Sequence, residues 1–254
     1  MTPTPQSPRR AVATVSVVGR GRLGRVVARA LGTAGILVSG PAGRGERVEP
    51  ADVVLLCVPD DQIGGVAAAL DGTSGFVGHM SGATPLAQVD VDFGLHPLQT
   101  FVGNEGADAF RGIGCAVAGR SADALEIAQQ LATRLGTRPF TLTDERRAGY
   151  HAAASIASNF LVTLMAAAEQ VATSTGLTAP DARALLAPLV RTTVENWAAH
   201  GPEAALTGPV ARGDTLTVRR QRAAVAMNAP DLLMLFDALC ESTRSLAERA
   251  RSAA

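Results

Sequence analysis

The chain has 254 residues, of which 47% are hydrophobic and 18% charged, and its formal net charge at neutral pH is zero. That balance is ample for a buried core and excludes a disordered chain. It offers no basic surface for nucleic acid or an anionic membrane. The three cysteines, Cys57, Cys115 and Cys240, are widely spaced and odd in number. They form no disulfide framework and no CxxC, which points to a reducing, cytoplasmic setting. All 23 basic residues are arginine, so a Schiff-base lysine, a Walker A lysine and a lysine general acid are excluded.

Residues 1–10 read as a disordered tail. The apolar run after Arg10 is only about nine residues long and ends in Gly-Arg-Gly without a small-residue cleavage site, so it is not an export signal. Next, "VATVSVV" (12–18) is a β-branched run that feeds straight into "GRGRLG". Gly19, Gly21 and Gly24 have G-x-G-x-x-G spacing, and Leu23, Val26, Val27, Ala30 and Leu31 follow at helical spacing until Gly32. Strand, glycine turn and helix are the context in which this motif binds a dinucleotide. Gly19 makes the tight turn, Gly21 lets the backbone approach a pyrophosphate, and Gly24 lets helix and strand pack closely. The phosphates would meet the free N–H groups of the helix N-terminus. Arg20 and Leu23 lie within the same turn.

"GILVSG" (35–40) supplies a second strand. Its end should distinguish the nicotinamide cofactors, because NAD sites usually place an acid there for the ribose 2′-hydroxyl. This chain has Ser39 and then no acid until Glu46, with Arg44 and Arg47 close by. A hydroxyl and a guanidinium suit a 2′-phosphate, so Ser39 and Arg44 favour NADP over NAD. "ADVVLLCVPDDQI" is a continuous apolar run, as a strand buried on both faces should be, and it ends at Val58 and Pro59. Those two residues complete the expected cofactor contacts. "GFVGHMSGA" (75–83) and "DFGLHPLQTF" (92–101) read as strands leading into loops, "GCAVAG" (114–119) as a strand followed by a helix, and "RPFTLTDERR" as a last strand and exit.

Beyond residue 150 helical patterning takes over, over 151–175, 180–199 with a kink at Pro188, 214–227 and 230–251. Asp214 and Asn228 are placed as helix caps. The organisation is thus an α/β domain over 11–145 followed by an all-α domain over 146–254. No membrane span is expected, since Ala152–Ala168 is interrupted by hydroxyl residues and an asparagine.

The stretch "YHAAASIASN" (150–159) carries the chain's single tyrosine beside a histidine. At about 100° per residue, His151, Ser155 and Asn159 fall at roughly 0°, 40° and 80°, with Ser158 at roughly −20°, on one polar stripe. Reduction of a carbonyl or imine by a nicotinamide cofactor requires a proton donor near the reacting heteroatom. A histidine suits that task, so His151 is the candidate donor, with Ser155 and Asn159 positioning the substrate. Tyr150, His96 and Gln99 would line the cleft. In "LTGPVARGD", Arg212 could hold a substrate carboxylate, with Asp214 beside it; as a cap and a surface charge the two have an ordinary structural explanation. The four histidines show no paired ligand spacing, so no metal site is expected.

Together "GRGRLG", "HMSGAT", "HPLQTF", "YHAAASIASN" and "LTGPVARGD", in this order, resemble a bacterial family that joins a Rossmann-like domain to a C-terminal helical domain of unknown function. Its members are assigned as oxidoreductases. It is similar in turn to the superfamily of pyrroline-5-carboxylate reductase, prephenate dehydrogenase, ketopantoate reductase and the 3-hydroxyacid dehydrogenases. The resemblance implies an active site between the domains, a homodimer formed through the helical one, and a small-molecule substrate, with ketopantoate a candidate. Hydroxyacid branches of that superfamily use a lysine and an asparagine one turn apart; here the corresponding stripe is His151, Ser155 and Asn159. The expected function is an NADP-dependent reductase of a small carboxylate-bearing keto or imino compound. The alternative is a protein that binds NADP(H) without turnover, as a sensor or scaffold.

Overall fold

The computed structural model describes residues 11–70 and 74–253; the tail expected over 1–10 lies outside them. Seven strands form one sheet: β1 (Thr14–Val18), β2 (Leu37–Ala42), β3 (Ala51–Leu56), β4 (Ser74–His79), β5 (Phe93–Pro97), β6 (Gly114–Gly119) and β7 (Arg138–Thr141). Their order is β2-β1-β3-β4-β5-β6-β7, and every neighbouring pair is parallel except β5 and β6. Helices α1 (Arg22–Thr33), α2 (Ile63–Ala68) and α3 (Ala122–Arg134) connect strands. Chain order reverses between β1 and β3, which is where open sheets of this kind bind ligands, beyond the carboxyl ends of the strands.

The apolar run of β3 is continuous because both faces of the sheet are covered. Val53 and Leu55 join Val15, Val17 and the α1 residues Val27 and Leu31 in one core. Val54 and Leu56 turn to the other face, with Val18, Ile63 and Leu86. Each such side chain contributes about 1.5–3 kcal/mol by leaving water. The unit is Rossmann-like.

The rest is helical: α4 (Asp144–Ser155), a π-helical turn (Ile156–Phe160), α5 (Leu161–Thr173), α6 (Ala179–Ala205), α7 (Pro209–Arg212), α8 (Thr215–Asn228) and α9 (Leu233–Ala253). The chain divides into two compact units, one ending at Ser158 and one beginning at Asn159. The expected boundary after 145 precedes this one by the length of α4, which is attached to the sheet unit through buried Arg147.

Several local expectations are corrected. The helix expected from 151 begins at Asp144, where Asp144 and Glu145 in the first turn favour the positive end of the helix dipole. The π turn then inserts an extra residue, so the uniform 100° advance from His151 to Asn159 does not hold. Helix α6 runs through Pro188 and leaves helical geometry at Gly201, whose φ of 80° favours glycine, just before Pro202. Asp214 caps α8 as expected, accepting the Thr217 N–H at 3.0 Å. Asn228 caps nothing: its Nδ2 donates back to the Ala224 carbonyl oxygen, and Pro230 opens a 3-10 turn before α9. The run Asp144–Thr173 is long and apolar enough, by length and composition only, to cross a membrane, against the expectation from the hydroxyl residues and asparagine of Ala152–Ala168; buried Arg147 sits within it.

Candidate functional site

The glycine turn is shaped by contacts that leave no room for side chains. Gly19 has φ +113°, and a Cβ there would collide with the Cys57 carbonyl; one at Gly24 would collide with the Gly19 carbonyl. Gly21 differs, because a Cβ at that position would meet no protein atom within 4 Å. Packing therefore does not explain this glycine, whereas close approach of a phosphate to its backbone does. Gly21 is also the N-cap of α1, with no side-chain cap and no acid in the first turn. The N–H groups there and the positive helix end are what an approaching anion would meet.

Two cavities meet at this turn, both built by the first unit. One, of about 1030 Å³, extends over the loop at 43–47 and is bordered by Arg20, Arg44, Glu46 and Arg47. The other, of about 490 Å³, is bordered by Leu23, Met80, Gly82, His96, Gln99 and His151. They share Gly21, Cys57, Val58 and Pro59, so they form one groove. In the larger cavity Arg20 is engaged, with Nη2 2.6 Å from Glu46 Oε2 and Nε donating to the Pro41 carbonyl. Arg47 lies 3.8 Å from Glu49. Arg44 is exposed and borders the cavity with its guanidinium unpaired among the described residues. Ser39 is not in the groove: β2 continues three residues past it to Ala42, leaving Ser39 exposed along the strand.

At the other end, the loop after β4 is held rigidly. Ser81 N–H donates to His79 Nδ1 at 3.1 Å, and Ser81 Oγ accepts the N–H groups of Ala83 and Thr84. Arg147, 2% exposed, donates from Nη1 to the Ser81 carbonyl at 3.4 Å and pairs with Asp144. Asp144 in turn accepts the N–H groups of Leu86 and Ala87. Burial works against its charge, but those two N–H groups and Arg147 hold its carboxyl below the usual carboxylate range.

His96 Nδ1 lies 2.7 Å from the Tyr150 hydroxyl, and the Tyr150 ring stands edge-on to Phe140. Burial, then His151 and Arg147, push His96 down to about 4, so it is neutral at pH 7. Burial pushes Tyr150 up to about 12. His79 is fully buried and lowered to about 4, by burial and then Arg147. Gly82 separates the two rings at the cavity, since a Cβ on it would lie 2.8 Å from His96 Nε2 and 2.9 Å from His151 Nδ1. His151 Nδ1 and His79 Nε2 are buried without a hydrogen-bond partner among the described residues. Such groups cost about 1–3 kcal/mol each. Cys57 is no nucleophile: burial raises its thiol to about 12, with Sγ 3.4 Å from Met80 Sδ.

The structure thus brings together His96, Tyr150 and His151 on one side, with Gln99, and Gly19, Arg20, Gly21, Leu23, Gly24, Arg44, Val58 and Pro59 along the groove. Ser155 lies on α4 and borders neither cavity. Asn159, Arg212 and Asp214 belong to the second unit. There Asn159 is exposed and both oxygens of Asp214 are taken by Thr217. Sequence reading missed Arg147. The signal for Arg147 was its spacing of four from His151, one helical turn, once the helix is started at Asp144. Among the described residues no group of three or more His, Cys, Asp or Glu could hold a metal.

The family model described as a domain of unknown function, DUF2520, matches residues 113–243. The chain belongs to the DUF2520 family. Its matched segment runs from β6 into α9 and so includes Arg147, Tyr150 and His151. No curated protein matches the chain. Among solved structures, this chain shares its fold with a Bacteroides fragilis protein provisionally named an NADP oxidoreductase, at 19% identity and TM-score 0.77, covering 92% of this chain and 98% of that one. A second is protein TM1727 of Thermotoga maritima, at 27% identity and TM-score 0.73, covering 93% and 99%. A third is the imine reductase of Myxococcus stipitatus, solved with NADP+, at 13% identity and TM-score 0.59, covering 94% of each chain.

Proposed function

We propose that this protein is an NADP(H)-dependent reductase of a small carboxylate-bearing keto or imino compound. The observation that carries the reading is the single groove that runs from Arg44, past the glycine turn, to the His96, Tyr150 and His151 cluster at the carboxyl ends of the parallel strands. When bound, the nicotinamide cofactor supplies the hydride. Gly19, Gly21 and Gly24 shape the pyrophosphate cradle, and Arg44 takes the 2′-phosphate. His151 holds the proton for the reacting heteroatom, and Arg22, which borders the smaller cavity, offers a guanidinium to the carboxylate. A cavity of about 490 Å³ suits a small substrate, with ketopantoate one candidate. The fold relationship to NADP oxidoreductases and to an imine reductase supports the same reading.

The helical unit is proposed to pair with a second copy. Leu185, Leu189, Trp197, Met227 and Met234 on α6, α8 and α9 are exposed, apolar side chains that a second copy would take out of water. The three free cysteines, two of them buried, suit the cytoplasm.

A second reading, a protein that binds NADP(H) without turnover, is favoured by one observation: His151 Nδ1 is buried with no hydrogen-bond partner among the described residues, so no hydrogen bond there orients its ring as a proton donor. Calorimetric titration with NADPH and NADH, followed by a screen of keto and imino acids, separates the readings. The reductase reading expects tighter NADPH binding, weakened about tenfold in Arg44→Ala while NADH affinity holds, and turnover lost in His151→Ala with cofactor binding intact. Cofactor binding without turnover of any acid favours the sensor. If neither nucleotide binds at millimolar concentration, both readings fall.

A further inference from the structure

The polarity of the histidine end goes beyond a reductase in general, because it discriminates between the two substrate chemistries left open above. The Tyr150 hydroxyl has His96 Nδ1, at 2.7 Å, as its one hydrogen-bond partner among the described residues. If His96 carried its proton on Nδ1, the phenolic proton would have no protein acceptor. If Tyr150 donates to Nδ1, both groups are satisfied and the imidazole proton is on Nε2. Burial, His151 and Arg147 keep this ring neutral near pH 7, so its protons follow that single arrangement. His96 borders the smaller cavity, and Nε2 makes no other hydrogen bond among the described residues. Gly82 keeps the space beside Nε2 open, since a methyl group there would lie 2.8 Å from it. The charge of buried Arg147 and, in the opposite sense, that of Asp60 act on the same ring.

We propose that the site selects a carbonyl over an iminium: His96, fixed by Tyr150, presents an Nε2–H donor that pairs with the oxygen of an α-keto acid and opposes the N–H of a protonated imino acid. A carbonyl oxygen accepts from such a donor, whereas a protonated imine sets its own N–H against it, donor to donor. The carboxylate that borders the same cavity, Asp60, can offset the charge of an imine but not the clash of two donors at Nε2. His96 therefore polarises the carbonyl as a hydrogen-bond donor and keeps its proton. Tyr150, Gly82 and Arg147 are positioning residues. This inference rests on the reductase reading for the identity of the reaction, and on the chain's own geometry for the tautomer.

The test is nitrogen-15 NMR of histidine-labelled full-length protein at pH 7, with pyruvate and 1-pyrroline-2-carboxylate as probes. His96 is expected as the Nε2–H tautomer, its Nε2 resonance moved by pyruvate, with pyruvate bound about tenfold or more tightly than the imine. In Tyr150→Phe, whose ring can remain against Phe140, the tautomer preference and the discrimination should both fall. Gly82→Ala should abolish the pyruvate response while NADPH binding persists; Tyr150→Phe carries the test if that variant does not fold. A His96 proton on Nδ1, an equal response to both probes, or no response to pyruvate overturns the proposal. Calorimetry with NADPH on the same sample keeps the two claims apart. NADPH binding with the wrong tautomer sinks the inference alone, and the right tautomer with a pyruvate response but no NADPH binding sinks the reductase reading alone.

Discussion

The two units of this chain bury their apolar residues in opposite ways. In the sheet unit, Leu31, Leu55, Phe93, Phe110 and Leu131 are completely buried, and strands and helices close a core on each face. In the helical unit the buried hydrophobics among the described residues are Ala182, Val225, Ala229, Cys240 and Ala247, all small, while Met227 and Met234 are 79% and 87% exposed. One unit closes its own core and buries a polar cluster beside it. The other consists of long helices whose larger apolar side chains face outward, as an interface requires.

The severest way to break this contrast is in the glycine turn. Gly24→Ala sets a methyl group against the Gly19 carbonyl, and the expected loss is about 3 kcal/mol in urea unfolding, together with nucleotide binding. An unchanged midpoint would mean that the turn does not depend on close packing.

Acid should act on the sheet unit as well. His79 ionises near 6.5 when unfolded and near 4 when folded. Its contribution is present above pH 6.5 and is lost as the pH falls towards 4, because the unfolded chain then binds a proton that the folded one refuses. The expected loss is about 3 kcal/mol, read as the pH dependence of urea midpoints, with a shallower dependence in His79→Gln. Stability flat between pH 7 and 4.5 would show that the ring finds a partner.

The gentlest intervention sharpens the other side of the contrast. Leu189→Asp combined with Met234→Asp changes two exposed residues, so helicity and monomer stability should barely change while the molar mass in solution falls from dimer to monomer. A wild-type monomer, or a variant that remains dimeric, would leave those faces without the proposed role.

What was legible in the sequence follows the same division. Unbroken or turn-bounded apolar runs are specified by local chemistry, and "GCAVAG" became β6 with the expected limits. The glycine turn and the Asp214 cap were equally local. The strand after the turn was harder: Gly40 and Pro41 look like a loop, yet β2 extends over them to Ala42, and Ser39 consequently stands outside the groove. Thr143, Asp144 and Glu145 are a helix start that resembled the exit of a strand, and that reading hid Arg147. The pairing of His96 with Tyr150 joins residues 54 positions apart, and no periodicity within either segment encodes it.

The π turn at Ile156–Phe160 contains the last residues of one unit and the first of the other. A π turn takes up one extra residue without turning the helix that follows, so loss of a single residue there would let the turn rewind to α geometry and leave the side chains of α5 on their present faces of the helix. The turn is a buffer for chain length: homologues one residue shorter at this point would keep the pattern of α5 without a single substitution along it.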